Sequence, residues 1–168
     1  MWHGSGKIVT VAFRTPEVPV SVPARVGLAT LGVSDVVRAT EFYESLGWRL
    51  SKASVPGVVS YFHTSGGRLS LVATTDLTVD AGLPNRTVSS HVPDGTRATM
   101  LSIAVDSPGA VDDALRTVVQ AGATLVKAGL PTESGGYLGY FTDPDGHLWE
   151  ITHHPDWPLD EMGAPQLP

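Results

Sequence analysis

Three side chains carry most of the proton chemistry this sequence offers. His63 and Tyr140 sit in the segments YFHT and YFTD, and Glu150 in DPDGHLWE. Each segment lies in a run whose alternation reads as β-strand. Every second residue of a strand shares a face, so Tyr61, His63, Leu69 and Leu71 are expected on one side, with Leu138, Tyr140, Thr142, Leu148 and Glu150. Phe62, Phe141, Trp149 and Ile151 are expected on the other. A carboxylate, an imidazole and a phenol converging on one pocket suit general acid–base catalysis. Glu150 would abstract a proton beside a carbonyl, and His63 or Tyr140 would return it. The same residues also have plain structural uses. His63 can be a half-exposed strand histidine bonded to a neighbour. Glu150 can pair with Tyr61, Tyr140, His63 or an arginine, and the tyrosines can wall a pocket with aromatic area.

The remaining histidines do not assemble a metal site by spacing. His147 follows a turn glycine and is expected on the outer side of a strand start. His153 and His154 are adjacent on a strand and point to opposite faces, a poor chelate. His91 falls in a long connection and His3 near the N-terminus. Cysteine is absent, which excludes disulfides, thiolate metal sites, iron–sulfur clusters and a cysteine nucleophile.

Composition bounds the class. The 168 residues include 11 basic and 17 acidic side chains, a net charge of −6, and charged residues make up only 17%, against about 25% in an average soluble domain. An acidic chain without a basic cluster is a poor nucleic-acid binder. Hydrophobic residues at 42% support a real core, and 18 glycines with 13 prolines rule out domination by long helices. The apolar run nearest the N-terminus, KIVTVAF at 7–13, is far shorter than the roughly 20 residues a membrane span needs. It also lacks the features of a signal peptide. It reads as a short strand, and a cytoplasmic location is expected.

These residues are positioned by a pattern written twice. From Arg25 the chain reads RVGLATLGVSDVVRATEFYESLGWRLSK, and from Thr99 it reads TMLSIAVDSPGAVDDALRTVVQAGATLVK. Each has an alternating strand, a helix start, a one-sided apolar stripe, a glycine stop and a short strand. In the first copy Ser34 is the expected N-cap, with Asp35 in the first turn. Its stripe is Ala39, Phe42, Tyr43 and Leu46, and Gly47 is the stop. In the second, Ser107 caps, Pro108 opens the helix, Val111, Ala114, Leu115 and Val118 form the stripe, and Gly122 ends it. Two strand–turn–strand segments follow, from Tyr61 to Leu71 and from Tyr140 to Glu150.

The organisation is therefore an extension at 1–23, a βαβββ module at 24–76, a connection at 77–98, a second module at 99–155 and a tail at 156–168. LTVDAGL (77–83) is expected to form a short helix within the connection. Ala29, Leu31 and Val33, and likewise Leu101, Ile103 and Val105, should pack under the helices. Leu28, Thr30, Met100, Ser102 and Ala104 face the other way, where mixed polarity suits a lined pocket.

The paired βαβββ pattern, the helix after GVSD and the segment GYFTDPDGHLWEI resemble the vicinal oxygen chelate superfamily, which includes glyoxalases, bleomycin-resistance proteins and extradiol dioxygenases. The resemblance implies an α+β fold: a cup-shaped mixed sheet with helices on its convex face and a ligand in the concave one. It also implies a homodimer. Metal-dependent members hold their ion on the first and last strands of each module, positions that fall on Leu28, Leu71, Met100 and Glu150. Three apolar side chains cannot hold a hard divalent ion, so no metal or other cofactor is expected.

Glu150, flanked by Leu28, Leu71 and Met100, would be desolvated and a better proton acceptor. The site expected is Glu150, His63 and Tyr140 for any catalysis, with Leu28, Thr30, Tyr61, Leu71, Met100, Ser102, Leu138 and Gly136 lining the ligand. Gly135–Gly136 would allow close approach of backbone to ligand, or simply make a tight loop. The expected partners are a small, largely apolar or aromatic molecule and a second copy of the chain, with no nucleic acid or membrane. The alternative is a lyase or isomerase with Glu150 as base.

Overall fold

The computed structural model describes residues 26–82 and 99–167. The first module runs β1 (Ala29–Val33), α1 (Val36–Ser45), β2 (Arg49–Leu50), β3 (Val59–Thr64) and β4 (Gly67–Ala73), followed by α2 (Thr74–Asp80). The second runs β5 (Leu101–Ala104), α3 (Pro108–Gln120), β6 (Thr124–Pro131), β7 (Tyr137–Thr142) and β8 (Leu148–His153). Each module forms a four-stranded mixed sheet, ordered β1-β4-β3-β2 and β5-β8-β7-β6. The first and last strands of each module pair in parallel and the other neighbours antiparallel. The repeat is thus a repeat of topology as well as of sequence pattern. The extension, its KIVTVAF segment, His3 and His91 lie outside the described residues.

The helices form where their stripes and caps predict, with one exchange. Asp35, and not Ser34, is the N-cap of α1: its Oδ1 accepts from the backbone N–H groups of Val37 and Arg38 at 2.9 and 3.1 Å. Either side chain can cap a helix. Ser34 is instead drawn to Asp145 of the second module. Ser107 caps α3 through the Ala110 N–H, with Pro108 at the first position. α2 starts at Thr74, three residues before the LTVDAGL segment. No helix among the described residues is long and apolar enough to cross a membrane.

The core fills the space between each sheet and its main helix. Val36, Ala39, Phe42 and Tyr43 of α1 meet Phe62, Leu69 and Leu71, while Val111, Leu115 and Val118 of α3 meet Phe141, Trp149 and Ile151. Burying each large apolar side chain contributes about 1.5–3 kcal/mol. The two halves share this core. Tyr43 and Trp48 of the first module lie with ring centroids 5.9 and 5.6 Å from Trp149 of the second.

Strand register corrects one expected face. Ser70 stands opposite Tyr61 and beside Thr30, whereas Leu69 pairs with Phe62 and Leu71 with Leu31 and Ser60. Leu69 and Leu71 therefore point under the helices, and Leu71 is 0% exposed. The cause is hairpin length. Tyr61 pairs with Ser70, nine residues on, but Tyr140 pairs with Glu150, ten residues on. One residue fewer in the first turn moves every following side chain to the opposite face. The position equivalent to Glu150 is Ser70.

Candidate functional site

The face of each sheet turned away from α1 and α3 carries a matched polar rung. In the first module Thr30 Oγ1 and Ser70 Oγ share a hydrogen bond of 2.7 Å. In the second, Ser102 Oγ donates to Glu150 Oε1 at 3.0 Å. Each rung joins the parallel edge strand to the last strand of its module, and a tyrosine stands across from each: Tyr61 opposite Ser70, Tyr140 opposite Glu150.

Around the first rung lies an open cleft of about 490 Å³. Its floor is Leu28, Thr30, Val59, Tyr61, Ser70 and Val72, and its wall is Asp76, Leu77, Val79 and Asp80 of α2. This helix is the exception to helices on the convex face, since it lies on the cup side. Gly32 permits that approach: a Cβ there would stand 3.0 Å from Thr74 Oγ1 and 3.5 Å from Leu77 Cδ2. The alternation of β1 and β3 identifies Leu28, Thr30 and Tyr61 in the sequence. Val59 shares that face two residues before Tyr61, and Leu77, Val79 and Asp80 fall within the short helix expected over LTVDAGL. A signal for the helix wall exists, because Asp76 and Asp80 stand four residues apart and Leu77 lies between them.

The second rung is more polar. Tyr140 has its pKa raised, first by desolvation and then by the adjacent Glu150 carboxylate. Lys127 Nζ lies 5.8 Å from the Tyr140 ring centroid. Leu138 pairs with Thr152 in register beside this rung, and Met100 stands just before β5, partly exposed like Leu28 before β1. Glu150 is not beside Leu71, which is buried on the other face of the other sheet, so the expected apolar flank is incomplete. Its polar neighbours are Ser102 and Tyr140.

His63 is not brought to Glu150. It lies in the first sheet opposite Arg49 and Arg68, and no hydrogen bond joins it to Glu150 among the described residues. Desolvation, with those two guanidinium groups, lowers its pKa below 6.5. Gly136 is buried in the β6–β7 turn, where its N–H donates to Thr132 Oγ1 at 2.9 Å. A Cβ there would lie 3.0 Å from the His153 carbonyl oxygen, so it serves the turn and does not line the cup. His147 is not on an outer side either. Its Nε2 is 2.9 Å from the Gly32 carbonyl, linking the modules. His153 Nδ1 lies 3.2 Å from the Val105 carbonyl, and His154 stacks on Trp157.

The profile of the Glyoxalase/Bleomycin resistance protein/Dioxygenase superfamily matches residues 25–151. The chain belongs to this superfamily. Among solved structures it is similar to a glyoxalase-related enzyme from Fulvimarina pelagi, with 27% identity over 86% of this chain and 99% of that one and a TM-score of 0.75. It is also similar to a glyoxalase/bleomycin resistance protein/dioxygenase from Nocardioides, with 25% identity, 90% and 93% covered and a TM-score of 0.63. A lactoylglutathione lyase from Agrobacterium tumefaciens shares the fold at 17% identity, with 79% and 96% covered and a TM-score of 0.57. No curated protein matches.

The ion held by the metal-dependent members of the superfamily does not fit this donor set. With the register corrected, the four positions are Leu28, Ser70, Met100 and Glu150, a single carboxylate and no imidazole. Hard divalent ions require several oxygen or nitrogen donors. Among the described residues no group of three or more His, Asp or Glu is arranged to hold one.

Proposed function

We propose that this superfamily member binds a small, largely apolar or aromatic molecule in its cup without a metal. The α2-walled cleft carries the reading. Its volume of about 490 Å³ falls within the roughly 300–1,000 Å³ usual for small-molecule sites. Its floor is chiefly Leu, Val and Tyr, and the Thr30–Ser70 rung within it is already satisfied, so an apolar body laid on the floor does not break that pairing.

Calorimetry with naphthylmethanol tests it. Saturable binding that persists after chelator treatment supports the reading. Leu28→Trp with Val79→Trp, both at exposed positions, should narrow the cleft and weaken that binding. No saturation, or no effect of the double substitution, would overturn the reading.

A second reading is favoured by the Ser102–Glu150–Tyr140 arrangement. A carboxylate held by a hydroxyl and facing a phenol can take a proton beside a carbonyl and return it, as in a lyase or isomerase. The atoms available are Glu150 Oε2 as acceptor and the Tyr140 hydroxyl as donor. Glu150→Gln would abolish turnover of any substrate found while sparing its binding, and unchanged turnover would remove the reading.

The proposal includes a homodimer. β6 is an edge strand with Leu125, Val126 and Leu130 about half exposed, and apolar edges of this kind call for cover. Light scattering at the mass of one chain would exclude it.

A further inference from the structure

We infer that Lys127 is a catalytic residue of the second module, its ammonium group facing the oxygen of a neutral ketone or aldehyde while Glu150 takes the proton from the adjacent carbon. This rests on the second reading above, the lyase or isomerase. Register puts four side chains in one row. Ser102 pairs with Glu150, Glu150 with Tyr140 and Tyr140 with Lys127, one residue from each of β5, β8, β7 and β6. Residues directly opposite across a sheet share a face, and Lys127 Nζ stands 5.8 Å from the Tyr140 ring centroid. The corresponding row of the first module, Thr30, Ser70 and Tyr61, carries no charge.

The edge strand is bent to bring a lysine there. Leu125 pairs with Phe141, so regular pairing would set Val126 opposite Tyr140; an irregularity passes over Val126 and gives the place to Lys127. A second follows before Leu130, where Ala128 and Gly129 stand against Gly139 alone. Bulges of this kind re-aim side chains and gather beside active sites. Gly139 makes room for the displaced strand: a Cβ there would stand 2.9 Å from the Lys127 carbonyl oxygen and 3.0 Å from the Gly129 nitrogen.

β6 and β8 flank β7, and two strand spacings come to about 9–10 Å. That leaves room over Tyr140 for one carbonyl unit with a contact of about 3 Å at each end. Glu150 Oε2 takes the proton, the C–H electron pair moves into the carbonyl, and the oxygen becomes an enolate beside the ammonium. Return of a proton from the Tyr140 hydroxyl to carbon restores the carbonyl, and the proton on Glu150 passes to the phenolate. A carboxylate on the substrate would set a second negative charge against Glu150, so the class is a neutral carbonyl compound.

β-Naphthol, an aromatic mimic of an enolate, reads the charge directly. In Glu150→Gln the amide stands for the base after it has taken the proton. There bound naphthol should ionise about one pH unit below free naphthol, followed by naphtholate absorbance. Lys127→Met on that background should remove the shift and Lys127→Arg should keep it. No shift, or the same shift in Lys127→Met, overturns the inference. Exchange of the protons beside the carbonyl of β-tetralone in heavy water, followed by NMR, tests the reading beneath it. The protein should accelerate exchange, Glu150→Gln should abolish the acceleration and Lys127→Met should reduce it at least about tenfold. If Glu150→Gln abolishes it and Lys127→Met leaves it unchanged, the inference falls and the second reading stands. If the protein does not accelerate exchange, the second reading falls and the inference with it. Loss in Lys127→Arg as well, with a lowered urea midpoint, would make Lys127 a support of the bulge and overturn its role at the oxygen.

Discussion

Glu150 and Ser70 occupy the same place in the two modules, and this divides the labour within the cup. The first rung is neutral and self-satisfied, whereas the second exposes one carboxylate beside a phenol. The Tyr140 hydroxyl feels that charge, since desolvation and Glu150 together raise its pKa. Glu150→Gln should therefore bring the Tyr140 titration down towards the ordinary value near 10, read by ultraviolet absorbance at alkaline pH. An unchanged titration would mean that the carboxylate does not reach the phenol. His63 shifts the other way. Desolvation, Arg49 and Arg68 disfavour its charged form, so its imidazole should titrate below 6.5 by proton NMR, and Arg68→Gln should move the midpoint up. The cup faces of Tyr61, Tyr140 and Glu150 follow from strand alternation alone. Their partners do not, because a pairing between strands forty or more residues apart depends on register that alternation leaves free.

At the scale of elements, the helices were legible because cap, stripe and stop all lie within one short stretch of chain. The hairpins were not, since a one-residue difference in turn length between Tyr61–Ser70 and Tyr140–Glu150 inverts a face without altering the apolar pattern. Leu71 was misplaced for this reason: Leu suits a cup as well as a core. α2 escaped in part because a seven-residue helix shows too few turns for a stripe to decide which surface it covers. Two substitutions test the local construction. Asp35→Ala removes the acceptor for the Val37 and Arg38 N–H groups and should cost about 1 kcal/mol in urea unfolding. Gly139→Ala would put a Cβ 2.9 Å from the Lys127 carbonyl oxygen, against Leu115 as well. Overpacking of this kind costs about 1–3 kcal/mol, so the loss should equal or exceed that of the cap.

At the scale of the molecule, the DPDG turn of the second module clasps the first. Tyr43 donates its hydroxyl to Asp143 Oδ2 at 2.7 Å. Asp145 Oδ1 accepts from the Ser34 backbone and hydroxyl at 2.7 and 2.6 Å and from Arg38 at 3.0 Å. Together with the His147–Gly32 bond and the Trp48–Trp149 contact, this joins the two modules, which should unfold as one cooperative unit. Burial works to raise the Asp145 pKa, but the Ser34 and Arg38 hydrogen bonds outweigh it and hold the group below the usual carboxylate range. The folded state therefore keeps Asp145 ionised to lower pH than the unfolded chain does. Its stabilisation is complete above the unfolded pKa, near 4, and disappears as pH falls through the lower folded value. Asp145→Asn keeps the shape and loses the charge. It should lower stability by about 1–2 kcal/mol near neutral pH, as for a charge-assisted hydrogen bond. The gap between variant and parent should begin to narrow as the pH drops below about 4, where the unfolded chain's carboxylate protonates, and close only below the lower folded value. Urea titrations at both pH values, followed by tryptophan fluorescence at the Trp48–Trp149 contact and by circular dichroism, should give one coincident transition. Divergent transitions in the parent protein would show that each module stands alone, and a gap that persists in acid would show that shape, not charge, holds the clasp.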